Sequence, residues 1–226
     1  MASSKVTERA AANLMVLIPT EKEITLPHHK LHVSDELLVS LYDFEAHIVH
    51  RQCVTPYAGG RKVKVNDVGD VIVVDASDTK REIKRWKSGH TRSIRRIVLW
   101  ESPKMPQIIT ASGDGTLKVF DMEGKLMRKL EPGHAGKVLC VAVSQNEPYE
   151  NTTVASGGDD KTLRLWSLKH GKQRAVCAGH EHQINAIAFC SGTGGIPLVA
   201  SLDQSGEIRL WELATGVLRR IIPTTL

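Results

Sequence analysis

Three stretches of this chain repeat one pattern at a fixed interval: "GHTRSIRRIVLW…ITASGDGTLKVFD", "GHAGKVLCVAVS…VASGGDDKTLRLWS" and "GHEHQINAIAFC…VASLDQSGEIRLWE". Each opens on Gly-His, at Gly89-His90, Gly133-His134 and Gly179-His180. Each closes on an aromatic and a polar residue, at Phe120-Asp121, Trp166-Ser167 and Trp211-Glu212, so the period is 44 to 46 residues. Within a unit the apolar residues alternate, as in Val141 and Val143 or Ile187 and Phe189, and Ser, Gly and Asp punctuate them. That is the pattern of short half-buried strands joined by tight turns. A period of this length, built from strands, constrains the chain to an array of small sheets in which each unit buries its apolar face only against its neighbours.

On these residues the chain resembles the WD-repeat β-propeller family over residues 80 to 226. The resemblance implies an all-β propeller of about four to five four-stranded antiparallel blades, with clear repeats at 89–130, 133–177 and 179–223. It predicts strands near 93–99, 107–112, 116–120 and 126–130 in the first of them. It also implies that in each blade a histidine, a serine of the second strand, the turn aspartate and the closing aromatic form a hydrogen-bonded cluster. Those residues are His90, Ser112, Asp114 and Phe120; His134, Ser156, Asp160 and Trp166; and His180, Ser201, Asp203 and Trp211.

Two units depart from the pattern. Phe120 lacks an indole N–H, so its cluster is expected to lose one bond, about 1 kcal/mol. Asp203 lies eight residues before Trp211 where Asp160 lies six before Trp166, so the "DQSG" turn is longer and its geometry is expected to differ. Measured back from the turn, Ser156 also stands two residues further off than Ser112 and Ser201.

Upstream the frame weakens. "NDVGDVIVVDAS" reads as a turn and third strand ending at Val74-Asp75, which places a degenerate blade before the first clear one and starts the repeat region near residue 54. Residues 1–53 form an N-terminal segment in which "HVSDELLVSLYDFEAHIVHRQ" can be laid on "TASGDGTLKVFDMEGKLMRKL", setting Tyr42-Asp43 over Phe120-Asp121. The 32 residues from Asp43 to Asp75 are too few for a complete blade. A seven-bladed ring needs roughly 315 residues at the usual blade length, and this chain has 226. A fragment, a compact ring of five blades or fewer, and an open array completed by a partner or a second copy all fit that length.

The net charge of +5 is uneven. Residues 80 to 104 hold Lys80, Arg81, Lys84, Arg85, Lys87, Arg92, Arg95, Arg96 and Lys104 against only Glu82 and Glu101, so the rest of the chain is slightly acidic. The expectation is one basic blade edge. In the family's geometry the residues leading into each first strand lie on a docking face, which nominates Arg92, Arg95, Arg96, Lys137 and His182 as partner-binding. Arg96 replaces the small Cys140 and Ala186 of the other units, so it should reach a carboxylate or a watered channel.

Chemistry finds little footing. There is no G-x-S-x-G elbow, phosphate-binding Gly-rich loop or H-E-x-x-H, and the recurring His and Ser are absorbed by the blade clusters. The expectation is a non-catalytic scaffold without cofactor or metal. His28, His29, His32, His47 and His50 lack accompanying cysteine or carboxylate spacing, and the "GHEH" of residues 179–182 uses His180 in its blade. Cys53, Cys140, Cys177 and Cys190 show no C-x-x-C pairing and read as free thiols of a reducing compartment, cytoplasm or nucleus. The Ala10–Ile18 run is broken by Asn13 and is followed by no small-residue cleavage site, so it reads as neither a signal peptide nor a span.

The basic residues suit an acidic or phosphorylated protein partner. RNA is the alternative, disfavoured by 4% aromatics and by the absence of stacking residues in the basic run. The family's ubiquitin-ligase adaptors often carry an arginine two residues past the aromatic pair, where this chain has Glu123, Lys169 and Ala214.

Overall fold

A computed structural model describes residues 61–222, apart from 67, 76, 79, 101–104, 145–150 and 192–194, together with strand segments at 22–26, 29–33, 38–39 and 55–57. The readings made above for Glu101, Lys104, Cys53, His28, His47, His50, Ala10–Ile18 and Tyr42-Asp43 lie outside these residues. Strands β1 (Lys22–Leu26) and β2 (His29–Val33) form an antiparallel hairpin. β3 (Leu38–Val39) is set apart from it. The first four-stranded sheet follows, from β4 (Thr55–Tyr57), β5 (Arg61–Val65), β6 (Asp70–Asp75) and β7 (Glu82–Lys87). Next come β8 (Ile94–Trp100), β9 (Gln107–Ser112), β10 (Leu117–Asp121) and β11 (Leu126–Leu130), then β12 (Val138–Val143), β13 (Thr153–Gly158), β14 (Leu163–Ser167) and β15 (Gln173–Cys177). The last blade is β16 (Ile184–Ser191), β17 (Pro197–Asp203), β18 (Ile208–Glu212) and β19 (Leu218–Ile222). β3 joins this sheet beside β16, through Cys190↔Val39 and Ser191↔Leu38. No α-helix occurs among the described residues.

Each sheet is an antiparallel meander, and its middle strands are buried on both faces. Every residue of β9 and β13 is buried, whereas the outer strands alternate or lie exposed. The period-2 pattern then divides each blade's side chains between its two neighbours. Val63, Val71 and Val73 pack against Ile94, Ile97, Ile108 and Phe120 of the next blade. Ile109, Leu117 and Val119 pack against Val141, Val154 and Trp166, and Leu163, Leu165 and Cys177 against Ile187, Val199 and Trp211.

The first strand of each clear repeat carries the same irregularity. Pairing slips between Ile94 and Arg96, between Val138 and Cys140, and between Ile184 and Ala186, so Arg95, Leu139 and Asn185 are the extra residues of three equivalent bulges. Such bulges re-aim the side chains around them.

The expected single basic edge is corrected by this topology. Lys84, Arg85 and Lys87 belong to the outermost strand of the first sheet, while Arg92 leads into the first strand of the next and Arg95 and Arg96 lie on it. A blade's outer strand and its neighbour's inner strand lie at opposite ends of the radial direction. The outer cations also meet carboxylates: Lys84 pairs with Glu123, 39 residues away, and Arg85 with Glu82 and Asp70.

Candidate functional site

In the middle blade, hydrogen-bonding chemistry dictates a direction. The Trp166 indole can only donate, and an ionised Asp160 can only accept. Trp166 Nε1–H donates to Ser156 Oγ at 2.8 Å, Ser156 Oγ–H donates to His134 Nε2 at 2.8 Å, and His134 Nδ1–H donates to Asp160 Oδ1 at 2.9 Å. Every proton has an acceptor when the imidazole is neutral. Asp160 Oδ1 also takes the Thr162 hydroxyl at 2.9 Å, and Oδ2 the Ala135 N–H at 3.1 Å, tying the Gly-His loop to the turn. Burial works against ionisation of Asp160, but the bonds from His134 and Thr162 outweigh it and hold the carboxyl well below the usual carboxylate range.

The last blade forms the same relay despite its longer turn. Trp211 Nε1 donates to Ser201 Oγ at 2.8 Å, Ser201 meets His180 Nε2 at 2.7 Å, and His180 Nδ1 meets Asp203 Oδ2 at 3.0 Å. Asp203 stands at the end of β17, and Ser205 supplies the turn hydroxyl that Thr162 supplies in the middle blade, donating to Asp203 Oδ1 at 2.6 Å. The aspartate has moved two residues upstream and the hydroxyl has followed it.

The first clear blade corrects one assignment. His90 Nδ1 meets Asp114 Oδ2 at 3.0 Å, but Nε2 meets Thr110 Oγ1 at 2.9 Å, not Ser112. Register explains this. Phe120 pairs with Ile108, Trp166 with Val154 and Trp211 with Val199, so the hydroxyl facing the histidine is two residues further along the second strand: Thr110, Ser156 and Ser201. Ser112 instead bonds the Arg92 and Ser93 carbonyls at 3.0 and 3.2 Å. Phe120 offers no donor to Thr110; its ring packs on Trp86 of the preceding blade, with centroids 6.2 Å apart.

Burial depresses the pKa of His90 and of His180, although Asp114 and Asp203 pull the other way. Both rings are therefore neutral near pH 7. Burial also pushes the thiols of Cys140, Cys177 and Cys190 up to about 12, which leaves them unreactive as nucleophiles. Among the described residues one group could be compared with a metal site: ligand atoms of His180, Asp203 and Glu207 lie within 4.8 Å of one another. His180 and Asp203 are engaged in the relay, and the Arg209 guanidinium pairs with Glu207, so the site already holds a cation of its own.

The residues nominated for a partner lie on or beside the Gly-His loops. Arg92, Arg95, Lys137 and His182 are exposed. A β-carbon built on Gly113 would lie 3.6 Å from Arg92 Cβ and 3.7 Å from Arg95 Nε, so the two arginines flank one glycine. Equivalent carbonyls anchor the three loops: Ser93 O accepts Gly113 N–H at 2.9 Å, Lys137 O accepts Asp159 N–H at 3.0 Å, and Gln183 O accepts Gln204 N–H at 2.9 Å. Arg96 does not extend with Arg92 and Arg95. It is half-buried, donates from Nη1 to the Arg95 carbonyl at 3.1 Å, and sits near enough to the Cys140 thiol to favour its ionisation slightly.

Sequence reasoning missed Thr110 and also Lys118. Lys118 is 7% exposed, and its Nζ donates to the carbonyls of Ser88 at 3.0 Å and Gly89 at 2.6 Å, propping the loop that leads to Arg92. A cation two residues before the closing aromatic recurs as Arg164 and Arg209, and this repetition was the available signal. Arg164 reaches Gln173 Oε1 at 2.9 Å and Asp160 Oδ2 at 3.5 Å.

Consecutive four-stranded blades, three of them pinned by a hydroxyl, histidine and aspartate cluster that a tryptophan indole completes in two, define a propeller-blade repeat protein. Residues 81–121 and 124–167 match the family described as "WD domain, G-beta repeat". Over these two repeats the chain is similar to the WD-repeat family. Polycomb protein EED of Chaetomium thermophilum is 39% identical over 115 residues, 48% of this chain and 19% of that protein. Nuclear distribution protein PAC1 of Gibberella zeae is 30% identical over 120 residues, covering 50% and 26%. The guanine nucleotide-binding protein subunit beta-like protein of Encephalitozoon cuniculi is 28% identical over 145 residues, covering 62% and 40%. The matched stretch thus spans well under half the length of each of these relatives. Among solved structures, the crystal structure of the computationally designed Ika8 protein superposes with a TM-score of 0.59 at 27% identity, covering 74% of this chain and 48% of that one.

Proposed function

We propose that this chain is a non-catalytic protein-interaction scaffold that docks an acidic or phosphorylated partner on the rim formed by its Gly-His loops. The observation that carries the reading is the pair of exposed guanidiniums, Arg92 and Arg95, on either side of Gly113, on a loop whose backbone is held by Ser112 Oγ and Gly113 N–H. Two forks presented on a fixed backbone suit a carboxylate or phosphoryl group, because little rotamer and loop entropy remains to be lost on binding. Lys137 and His182 extend the rim onto the next two blades. The cations of β7 contribute less, since Lys84 and Arg85 already face carboxylates. The recurring His, Ser and Asp support a scaffold over an enzyme, because the relays that use them are structural and buried. Among the described residues no helix is long and apolar enough to cross a membrane; cytoplasm or nucleus suits the buried free thiols.

The test is the Arg92→Glu/Arg95→Glu double variant in affinity capture, with circular dichroism to establish that it stays folded. The expected result is loss of one or a few proteins, with a loss of salt dependence in what remains bound. Parallel loss of heparin and mixed RNA without regard to sequence would instead assign the patch to polyanion binding. An unchanged protein set would overturn the proposal.

A further inference from the structure

At the rim, each of the three clear blades presents a pair of equivalent positions, one on the Gly-His loop and one on the turn after the second strand. The bonds that anchor the loops fix the correspondence, because Gly113, Asp159 and Gln204 donate their N–H groups to the carbonyls of Ser93, Lys137 and Gln183. Arg92, Gly136 and His182 stand one residue before those carbonyls. The pairs are therefore Arg92 with Gly113, Gly136 with Asp159, and His182 with Gln204. In the first, an exposed loop side chain covers a buried turn glycine: a β-carbon on Gly113 would lie 3.6 Å from Arg92 Cβ. The second is reversed. There the turn side chain covers a loop glycine, and a β-carbon on Gly136 would lie 2.8 Å from Asp159 Cγ and collide with its Oδ1. Neither glycine has the positive φ that would demand one, so Gly136 supplies room for a carboxylate where the neighbouring blade presents a guanidinium.

Asp160, the next residue, is taken up by His134 and Arg164. Asp159 is half-buried, and among the described residues no cation or hydrogen-bond donor engages its carboxylate. It has given up part of its hydration without an ionic partner, and a cation brought from outside would replace what was lost. The two seats adjoin. His134 N–H donates to Gly115 O at 2.8 Å, and a β-carbon on Gly115 would lie 2.8 Å from Gly136 O. With Gly113 two residues before Gly115, the α-carbons of Gly113 and Gly136 are at most about 14 Å apart, the reach of about four residues of extended chain.

We propose that this rim reads both signs of charge: the partner is a peptide segment that brings an acidic or phosphorylated residue to Arg92 and, about four residues or fewer away, a lysine or arginine to Asp159. This rests on the rim being the docking face, and it adds the second half of what that face selects. A segment of uniform negative charge gains Arg92 but meets repulsion at Asp159, so the carboxylate discriminates against nucleic acid and purely acidic tails.

The experiment selects a random-peptide display library on the full chain, with aspartate and glutamate standing in for a phosphorylated residue, and measures the affinity of the enriched peptides after synthesis. The expected peptides pair an acid with a lysine or arginine at the stated spacing. Selection on Asp159→Asn keeps the acid and loses the base; selection on Arg92→Glu loses the acid. In solution, changing the peptide's lysine to glutamine weakens binding to the native chain several-fold and hardly affects binding to Asp159→Asn, which shows that the two groups meet. Enrichment of acids without a base, or a base whose effect survives Asp159→Asn, overturns the proposal and leaves the rim as a purely anion-binding face. Enrichment indifferent to Arg92→Glu, or no enrichment, overturns the docking reading as well. Mixed RNA that displaces the enriched peptides from the native chain would overturn both and assign the rim to polyanions.

Discussion

The β12–β15 blade and the β8–β11 blade share a histidine on aspartate, a hydroxyl on Nε2 and a threonine in the turn, and they part at the last donor. In one, the Trp166 indole completes the relay through Ser156; in the other, Phe120 gives Thr110 nothing to accept. The His–Asp contact is nearly the same in both, 2.9 and 3.0 Å. The aromatic donor therefore does not create the pin. It satisfies a lone pair that the pin leaves over, and adds about 1 kcal/mol where it is present. The Phe120 blade sets other contacts in its place, the Trp86 ring against Phe120 and the buried Lys118 on the Gly-His loop.

Removing the shared histidine should have the largest effect. His134→Ala leaves Asp160 and Ser156 short of their partner and should cost about 2–3 kcal/mol in urea unfolding, with His90→Ala close behind. Trp166→Phe converts the middle blade into the pattern of its neighbour and should cost about 1 kcal/mol. The register correction gives a finer contrast. Thr110→Val should change the His90 ring resonances, whereas Ser112→Ala should leave them in place and loosen the Arg92–Ser93 loop. Equal losses from His134→Ala and Trp166→Phe would mean that the indole, not the histidine, organises the blade.

Acid should have a smaller effect. The folded-state pKa values of His90 and His180 lie below the ordinary 6.5, so the unfolded chain takes up more protons as pH falls. Their contribution is complete above about pH 6.5 and declines as pH drops through the lowered values. Asp114, Asp160 and Asp203 are depressed from 3.8, so a second decline follows below about pH 4. A melting temperature that falls in these two stages fits, with the upper stage diminished in His90→Ala and His180→Ala. A melting temperature flat from pH 7 to 5 would contradict it.

Strand positions and three of the four cluster roles were legible in the sequence, because a period of 44 to 46 residues aligns Gly-His, Asp and the aromatic directly. The hydroxyl was less so. Counted from the turn, Ser112 matches Ser201; counted from the aromatic, Thr110 does, and hydrogen bonding follows the register of the second and third strands. Asp203 shows the converse, since a shifted aspartate reached the same histidine once Ser205 shifted with it. The basic run misled for a spatial reason: a stretch that crosses from the outer strand of one blade to the inner strand of the next is continuous in sequence and divided in space. The carboxylate that meets Lys84 comes from 39 residues away, beyond what local charge counting sees.

Nitrogen-15 chemical shifts of the imidazole rings report the direction of the relay. The expected result in His90, His134 and His180 is a proton on Nδ1 facing the aspartate and a bare Nε2 accepting from Thr110, Ser156 and Ser201. A proton on Nε2 in any of the three rings would reverse the hydroxyl, turn the indole bond of the tryptophan blades into a competitor for the same oxygen, and rule out a relay that runs from aromatic to aspartate.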